Sequence, residues 1–92
     1  MVTVRARPKG DEWLCEVSVD NTGKLTRHVV TVTKADLERW ADGTERADVE
    51  NLVARSFEFL LEREPPQAIL ANFKLSVIQS YFSDYDTALR RQ

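Results

Sequence analysis

The sequence predicts an α+β fold in which a three-stranded antiparallel β-meander is followed by three or four α-helices packed on one face. Two observations lead to this class. Apolar and polar side chains alternate with a period of two over residues 2–33, which is typical of half-buried strands. From Thr33 onward the apolar residues recur at helical spacing. A chain of 92 residues suits a single domain with one modest core.

The three predicted strands come first and are joined by turn-forming residues. The first strand has Val2, Val4 and Ala6 on one face, and a turn at 8–11 follows it. The second strand carries an apolar face of four alternating residues: Trp13, Cys15, Val17 and Val19. The third strand runs to about Thr33.

We predict a four-residue loop at 20–23 between the second and third strands, so that Val19 pairs with Lys24. A three-residue loop is disfavoured because it would move Arg27 onto the core face. The preferred register makes three further cross-strand pairs: Trp13 with Val30, Cys15 with His28, and Glu16 with Arg27.

Leu14, Leu25 and Val29 lie on the opposite, outer face of this predicted sheet. They make that face more apolar than a fully solvated face needs to be. We interpret them as a candidate interaction surface for a second copy of the chain or for another protein. The alternative is a monomer with a few exposed apolar residues, and the sequence leaves both open.

The helical half begins at Thr33, which is predicted to cap the first helix together with Asp36. A longer helix is predicted over about residues 48–63, and its apolar arc is broad enough to contact both the sheet and another helix. The arc consists of Val49, Leu52, Val53, Ser56, Phe57, Phe59, Leu60 and Leu61.

Two restarts are predicted after the long helix. Pro65 and Pro66 would end it and begin two helical turns at 66–72, and Ser76 with Gln79 would cap a last helix. The apolar residues of this stretch are predicted to complete the core. The single domain 1–92 thus divides into a meander (1–33), a helical part (34–85) and a frayed tail (86–92).

The net charge weighs against a nucleic-acid partner. Thirteen Lys and Arg face fifteen Asp and Glu, which gives −2, whereas phosphate binding needs a basic surface. The alternative interpretation is a helix-turn-helix built from the helix pair at 66–82. Its second helix would offer only Ser76, Gln79 and Ser80 to base edges, with Lys74 just before it.

Reactive side chains are few. Cys15 is the only cysteine and His28 the only histidine, so an internal disulfide and a Cys/His metal cluster are both excluded. Together they would be the one nucleophile and base available to an enzyme. Both lie mid-strand on the predicted core face, so core packing is the favoured interpretation. We therefore predict no enzymatic activity, no metal and no cofactor.

The expected location is the cytoplasm, without a membrane partner. The N-terminal residues lack the apolar segment of a secretory signal, and no apolar run is long enough to cross a bilayer. A single cysteine is also usual for a reducing compartment.

Three segments, RHVVTVT, SFEFLLEREPPQAIL and FKLSVIQSYFSDY, resemble a family of short uncharacterised bacterial proteins. The resemblance extends from the second strand to Tyr85. At residues 82–85 this chain reads Phe-Ser-Asp-Tyr and lacks the proline of the family's more typical Phe-Pro-Glu-Tyr. The family carries no established activity, so the resemblance implies a bacterial cytosolic origin and transfers no site residue.

The charged corner Glu62, Arg63 and Glu64 is a second candidate docking point, because it lies exposed between two predicted helices. Taken together, these features predict a small non-enzymatic cytosolic interaction or regulatory domain. It would act through protein–protein contacts or as a homodimer.

Overall fold

The strands form one sheet with the order β1-β2-β3-β4 in the computed structural model, which describes residues 1–90. The first three strands are antiparallel neighbours, and β4 runs parallel to β3. The predicted α+β class is confirmed, but the meander is extended by a fourth strand that we did not predict. The strands are β1 (Val2–Lys9), β2 (Glu12–Asn21), β3 (Lys24–Val32) and β4 (Asn72–Lys74).

Residues 66–72 are not the two helical turns that the sequence predicts. Only Pro66–Ala68 form a turn of 3₁₀ helix, and the backbone is already extended at Ile69, with φ −78° and ψ 136°. The chain then pairs with β3, which aligns Phe73 with Val30. This pairing buries the Phe73 ring in the core and satisfies backbone groups along the edge of β3.

The turn between β2 and β3 is shorter than predicted. Asn21 pairs with Lys24, so the loop has two residues, Thr22 and Gly23, and not four. Both have positive φ, 51° and 81°, as a type I′ turn requires. Such a turn is favoured because its twist matches the twist of the two strands that it joins.

The predicted register of this hairpin is therefore wrong by two residues. Cys15 does not face His28, and Arg27 faces Ser18 instead of Glu16. A shift by two residues leaves every side chain on its predicted face, which is why the assignment of core and outer faces is unaffected. The observed partners are Trp13 with Val32, Cys15 with Val30, Glu16 with Val29, and Val17 with His28.

Replacing Thr22 with Asn is expected to raise the free energy of unfolding by about 1 kcal/mol. A β-branched residue is strained at positive φ, whereas Asn adopts this conformation readily and Asn-Gly is a preferred type I′ pair. Urea denaturation of the T22N variant beside the wild type measures the gain. Asp11→Asn is the control, because Asp11 lies in the other hairpin loop without a positive φ. An equal gain in both variants would contradict the strain at Thr22.

The helices of the described part pack on the sheet face that bears Cys15, Val17 and Val30. Residues 85–89 are helical and Leu89 is buried, so the structured part of the chain extends beyond the predicted helical part. Arg91 and Gln92, the end of the predicted tail, lie outside the described residues. The helices are α1 (Lys34–Trp40), α2 (Arg46–Leu61), α3 (Val77–Tyr81) and α4 (Tyr85–Leu89).

One of the two predicted capping boxes is present. Thr33 Oγ1 accepts from the Asp36 N–H at 3.2 Å, and the Asp36 carboxylate accepts from the Thr33 N–H at 3.0 Å. The Ser76 side chain makes no capping hydrogen bond, so the prediction of a box with Gln79 is wrong. The chain enters α3 directly from β4, and Ser76 already has helical φ and ψ instead of the extended geometry of an N-cap.

Two aromatic side chains join the elements of the core. Trp40, at the end of α1, packs edge-on against Tyr85 with ring centroids 5.0 Å apart, and its Nε1 donates to Asp86 Oδ1 at 3.0 Å. Phe57 of α2 lies between the rings of His28 and Phe73, at centroid distances of 5.3 and 6.2 Å. These contacts connect α1 to α4, and α2 to β3 and β4.

A buried pair of hydroxyl groups ties α2 to α4. Ser56 Oγ donates to the Leu52 carbonyl oxygen at 2.8 Å, so the Tyr85 hydroxyl is the donor in its 2.7 Å contact with Ser56 Oγ. Burial raises the pKa of Tyr85 well above its ordinary value of 10.0. The phenol therefore stays neutral at physiological pH and keeps the proton that this hydrogen bond needs.

The outer edge of β1 is closed over half of its length. Lys9 and Glu12 flank a two-residue turn as a hydrogen-bonded pair, so Ala6 and Pro8 direct their backbone groups away from β2. Pro8 has no N–H, and the Ala6 N–H donates to Glu50 Oε2 of α2 at 2.9 Å. This half of β1 therefore offers no free donor to another strand.

Candidate functional site

An open apolar cleft of about 300 Å³ lies where the C-terminal end of α2 meets β4 and α3; we call it the β4 cleft. Leu70 is 49% exposed and Tyr81 is 70% exposed, so apolar surface is held open to water. The base consists of four buried side chains: Leu60, Ile69, Phe73 and Ile78. The walls consist of Glu64, Ala68, Leu70, Val77, Tyr81 and Phe82. A concave apolar surface of this kind is the usual form of a binding site.

One wall of the cleft is fixed by β3. His28 Nδ1 lies 2.8 Å from the Leu70 carbonyl oxygen, and because a carbonyl only accepts, Nδ1 carries the proton. Next to it, the Val29 N–H donates to the Ala71 carbonyl oxygen at 2.8 Å. These two bonds hold the backbone at Leu70 while its side chain stays in solvent.

The opposite wall is provided by α3 and the residue after it. The Leu75 N–H donates to the Thr31 carbonyl oxygen at 2.9 Å, which fixes the start of α3 against β3. At its other end the Phe82 N–H donates to the Ile78 carbonyl oxygen at 2.8 Å, and the Phe82 ring packs edge-on to Phe59 at 5.9 Å. The two walls are thus tied to the sheet and to α2 independently of each other, so the cleft is preformed.

Among residues 1–90, Glu64 is the only charged residue in the lining of the cleft. Within residues 1–90 its carboxylate forms neither an ion pair nor a hydrogen bond with another residue. The adjacent cation, Arg63, is engaged elsewhere: it donates to the Phe59 carbonyl oxygen at 2.9 Å and to Asp84 Oδ2 at 2.7 Å. Its guanidinium also lies 3.6 Å from the centre of the Phe59 ring. The cleft therefore combines apolar walls with one uncompensated negative charge.

The predicted docking corner is divided by the fold. Arg63 joins the end of α2 to the start of α4 through Phe59 and Asp84, so its role is internal. Glu62 is exposed and lies 3.4 Å from the Arg63 guanidinium. Of the three predicted residues, only Glu64 lines the cleft.

The predicted outer-face surface is present but not continuous. Leu14 and Val29 are half-buried and are diagonal neighbours on β2 and β3. Leu25 is 55% exposed and lies beyond Arg27 on β3, opposite Asp20. The apolar part of the outer face is therefore limited to a pair of side chains and one separate leucine.

Cys15 and His28 do not form a nucleophile and base. Burial, assisted by the negative charge of Glu50, raises the pKa of the Cys15 thiol to about 12, so the thiol is neutral at physiological pH. Both ring nitrogens of His28 have other partners, the Leu70 carbonyl and Thr26 Oγ1, which lies 3.0 Å from Nε2. His28 instead positions one wall of the β4 cleft.

The helix pair at 66–82 does not have helix-turn-helix geometry. A 3₁₀ turn at Pro66–Ala68 and strand β4 stand where the first helix was expected, and α3 has five residues. Among residues 1–90, no group of three or more His, Cys, Asp or Glu side chains is placed to hold a metal ion. No helix in that range is both long enough and apolar enough to cross a membrane.

The cleft itself was not predicted, because Leu70 and Tyr81 were assigned to the core. A usable signal lies in the adjacent apolar pairs Ile69-Leu70 and Tyr81-Phe82. The backbone is extended at Ile69, so neighbouring side chains alternate there and only one of Ile69 and Leu70 can face the core.

Comparisons of the chain with protein-family models, with curated protein sequences and with solved structures found no match.

Proposed function

We propose that this protein is a small non-enzymatic domain of the bacterial cytosol that works by binding another protein, and that the β4 cleft is the contact site. The observation that carries this proposal is the exposure of Leu70 and Tyr81 in a preformed concave surface. The buried, neutral thiol of Cys15 supports a role without covalent chemistry.

A different protein is favoured over a second copy as the partner. Self-association through the outer face would have little apolar surface to bury, since Leu25 is separated from Leu14 and Val29. The β4 cleft has a more continuous apolar lining.

Three single variants test where the partner binds. Leu70→Asp and Tyr81→Asp alter the cleft, and Leu25→Asp is the matched control on the outer face. All three side chains are about half exposed or more, so each variant is expected to fold, which circular dichroism checks. The wild type and the three variants are each immobilised, and the proteins that each one retains are identified by mass spectrometry and compared. The molecular mass of the free chain is measured separately by sedimentation.

We expect a partner that is retained by the wild type and by L25D but lost from L70D and Y81D. If the partner is lost from L25D alone, the contact site is the outer face and not the cleft. If the chain forms a dimer that L25D dissociates, homodimerisation is favoured. A strict monomer that retains no protein would overturn the proposed function.

A further inference from the structure

We propose that the ligand of the β4 cleft is an extended segment of the partner protein. The segment adds as a strand to the free edge of β4, inserts an apolar side chain into the cleft, and places a Lys or Arg against Glu64. This inference rests on the proposed function and specifies its ligand.

The outer edge of β4 has unused backbone groups. The bonds from the Val29 N–H to the Ala71 carbonyl, and from the Leu75 N–H to the Thr31 carbonyl, show that residues 71 and 75 face β3. Since strand residues alternate, the N–H and C=O groups of Asn72 and Lys74 point away from β3. Within residues 1–90 these groups have no hydrogen-bond partner, and both residues are exposed.

The two edges of the sheet therefore differ. Pro8 and the bond from the Ala6 N–H to Glu50 close half of β1, whereas nothing in the described chain closes β4. An unpaired edge beside a pocket for alternate side chains is the arrangement that proteins use to bind an extended peptide.

The same geometry delivers a side chain to the cleft. Side chains of neighbouring strands project to the same face where they stand side by side. A residue next to Phe73 would point to the helical side of the sheet, where Phe73 forms part of the base of the cleft. Backbone pairing with β4 and insertion of an apolar side chain are therefore compatible.

Charge complementarity selects a basic segment. The Glu64 carboxylate lies in the wall of the cleft without a counter-charge among the described residues. Lys74 does not supply one, because its side chain alternates with Phe73 and lies on the outer face of the sheet. A Lys or Arg beside the apolar anchor would supply the missing charge.

A second copy of this chain does not match these requirements. Pairing through its own β4 would present Phe73 and Leu75, and both side chains are already buried in its own core. The remaining side chains of that strand, Asn72 and Lys74, are polar and lie on the other face. Pairing of two β4 strands is therefore unfavourable, and we take the occupant to be a segment of a different protein.

Selection from a phage-displayed library of random peptides tests the charge requirement. The full chain is immobilised as wild type, as Glu64→Lys and as Glu62→Lys. Glu62 is the matched control, because it lies at the same corner and is exposed but does not line the cleft. The wild type and E62K should enrich peptides in which an apolar residue lies close to Lys or Arg. E64K should lose these peptides and enrich Asp or Glu instead.

A peptide chosen on the wild type then tests the binding mode. Its affinity for Glu64→Gln should fall about tenfold, and its affinity for Glu62→Gln should not change. Only every second N–H of an added strand faces β4. Methylation of one alternate set of backbone nitrogens of the peptide should therefore abolish binding, and methylation of the other set should leave it intact.

The possible failures separate this inference from the proposed function. Selected peptides that require Leu70 and Tyr81 but contain no basic residue, or that show no alternation on methylation, would overturn the inference and leave the cleft as a binding site. An absence of any peptide that depends on Leu70 or Tyr81 would overturn both.

Discussion

Trp40→Ala is expected to lower the free energy of unfolding by about 3–5 kcal/mol. Trp40 is fully buried, and its removal leaves a cavity beside Tyr85 and takes away the donor to Asp86. Domains of this size have about 5–15 kcal/mol of total stability, so the variant should unfold at much lower urea concentration than the wild type. Urea denaturation followed by far-ultraviolet circular dichroism measures the loss.

Two further variants separate packing from hydrogen bonding. Trp40→Phe keeps a ring against Tyr85 but removes the indole N–H together with part of the ring, so its loss should be about 2 kcal/mol, below that of W40A. Trp13→Ala removes the other tryptophan, which is half-buried, and should cost less than W40A. Equal losses in W40A and W13A would contradict the role of Trp40 as a central core residue.

The same hydrogen bond gives W40F a distinct response to acid. The Trp40 indole N–H, followed by the Arg90 guanidinium, holds the pKa of Asp86 below its ordinary value of 3.8. A carboxyl group with a depressed pKa stabilises the fold above its ordinary pKa, and this stabilisation is lost as the pH falls through the lower, folded-state value. W40F should therefore lose less stability than the wild type between neutral pH and pH values below 3.8.

Phe57→Ala is expected to cost a similar amount, about 3–5 kcal/mol, and to loosen the β4 cleft as well. The Phe57 ring packs between His28, which holds the Leu70 wall, and Phe73, which belongs to the base. Removing it takes away the ring contacts that α2 makes with both residues. Amide hydrogen exchange should then accelerate more at Phe73 and Leu75 than in β1. Urea denaturation measures the accompanying decrease in the free energy of unfolding.

A matched control comes from the same helix. Val49 is fully buried near the start of α2, far along the helix from Leu60 at the cleft. Val49→Ala should lower overall stability without the selective effect on β4. If both variants accelerate exchange in β1 and β4 equally, Phe57 has no special connection to the cleft.

The parts of the fold that follow from local sequence could be predicted. The period-two pattern of residues 2–33 identified the three antiparallel strands, and the Thr33–Asp36 pair identified the start of α1. The apolar arc of α2 was also predicted, since all of its members except Leu61 are buried. These features depend on side chains close together in the chain, and a single sequence contains that information.

The features that depend on long-range pairing were missed. β4 has three residues and owes its conformation to β3, about forty positions earlier in the chain. The polar–apolar–polar pattern of Asn72, Phe73 and Lys74 is too short to predict a strand, because three residues of that pattern fit a link between helices equally well. The hairpin register was missed because Thr22 is an unusual residue for a type I′ turn.

The candidate site depends on these same features. Glu64 was selected from the sequence as part of an exposed charged corner, yet its position in an apolar wall requires β4 and α3 to be in place. Leu70 and Tyr81 could not be separated from the core residues beside them without knowing where each short element begins and ends.

The carboxylate of Glu50 on the Ala6 N–H also limits how many molecules can join one sheet. Growth of a sheet into a fibril requires that each added unit present a new edge like the one that it has just filled. A segment bound at β4 occupies that edge, and the closed half of β1 has no free N–H with which to pair in turn with another molecule. We therefore expect complexes of one chain with one segment, and Glu50→Ala would free only the Ala6 N–H, because Pro8 still has no N–H to donate.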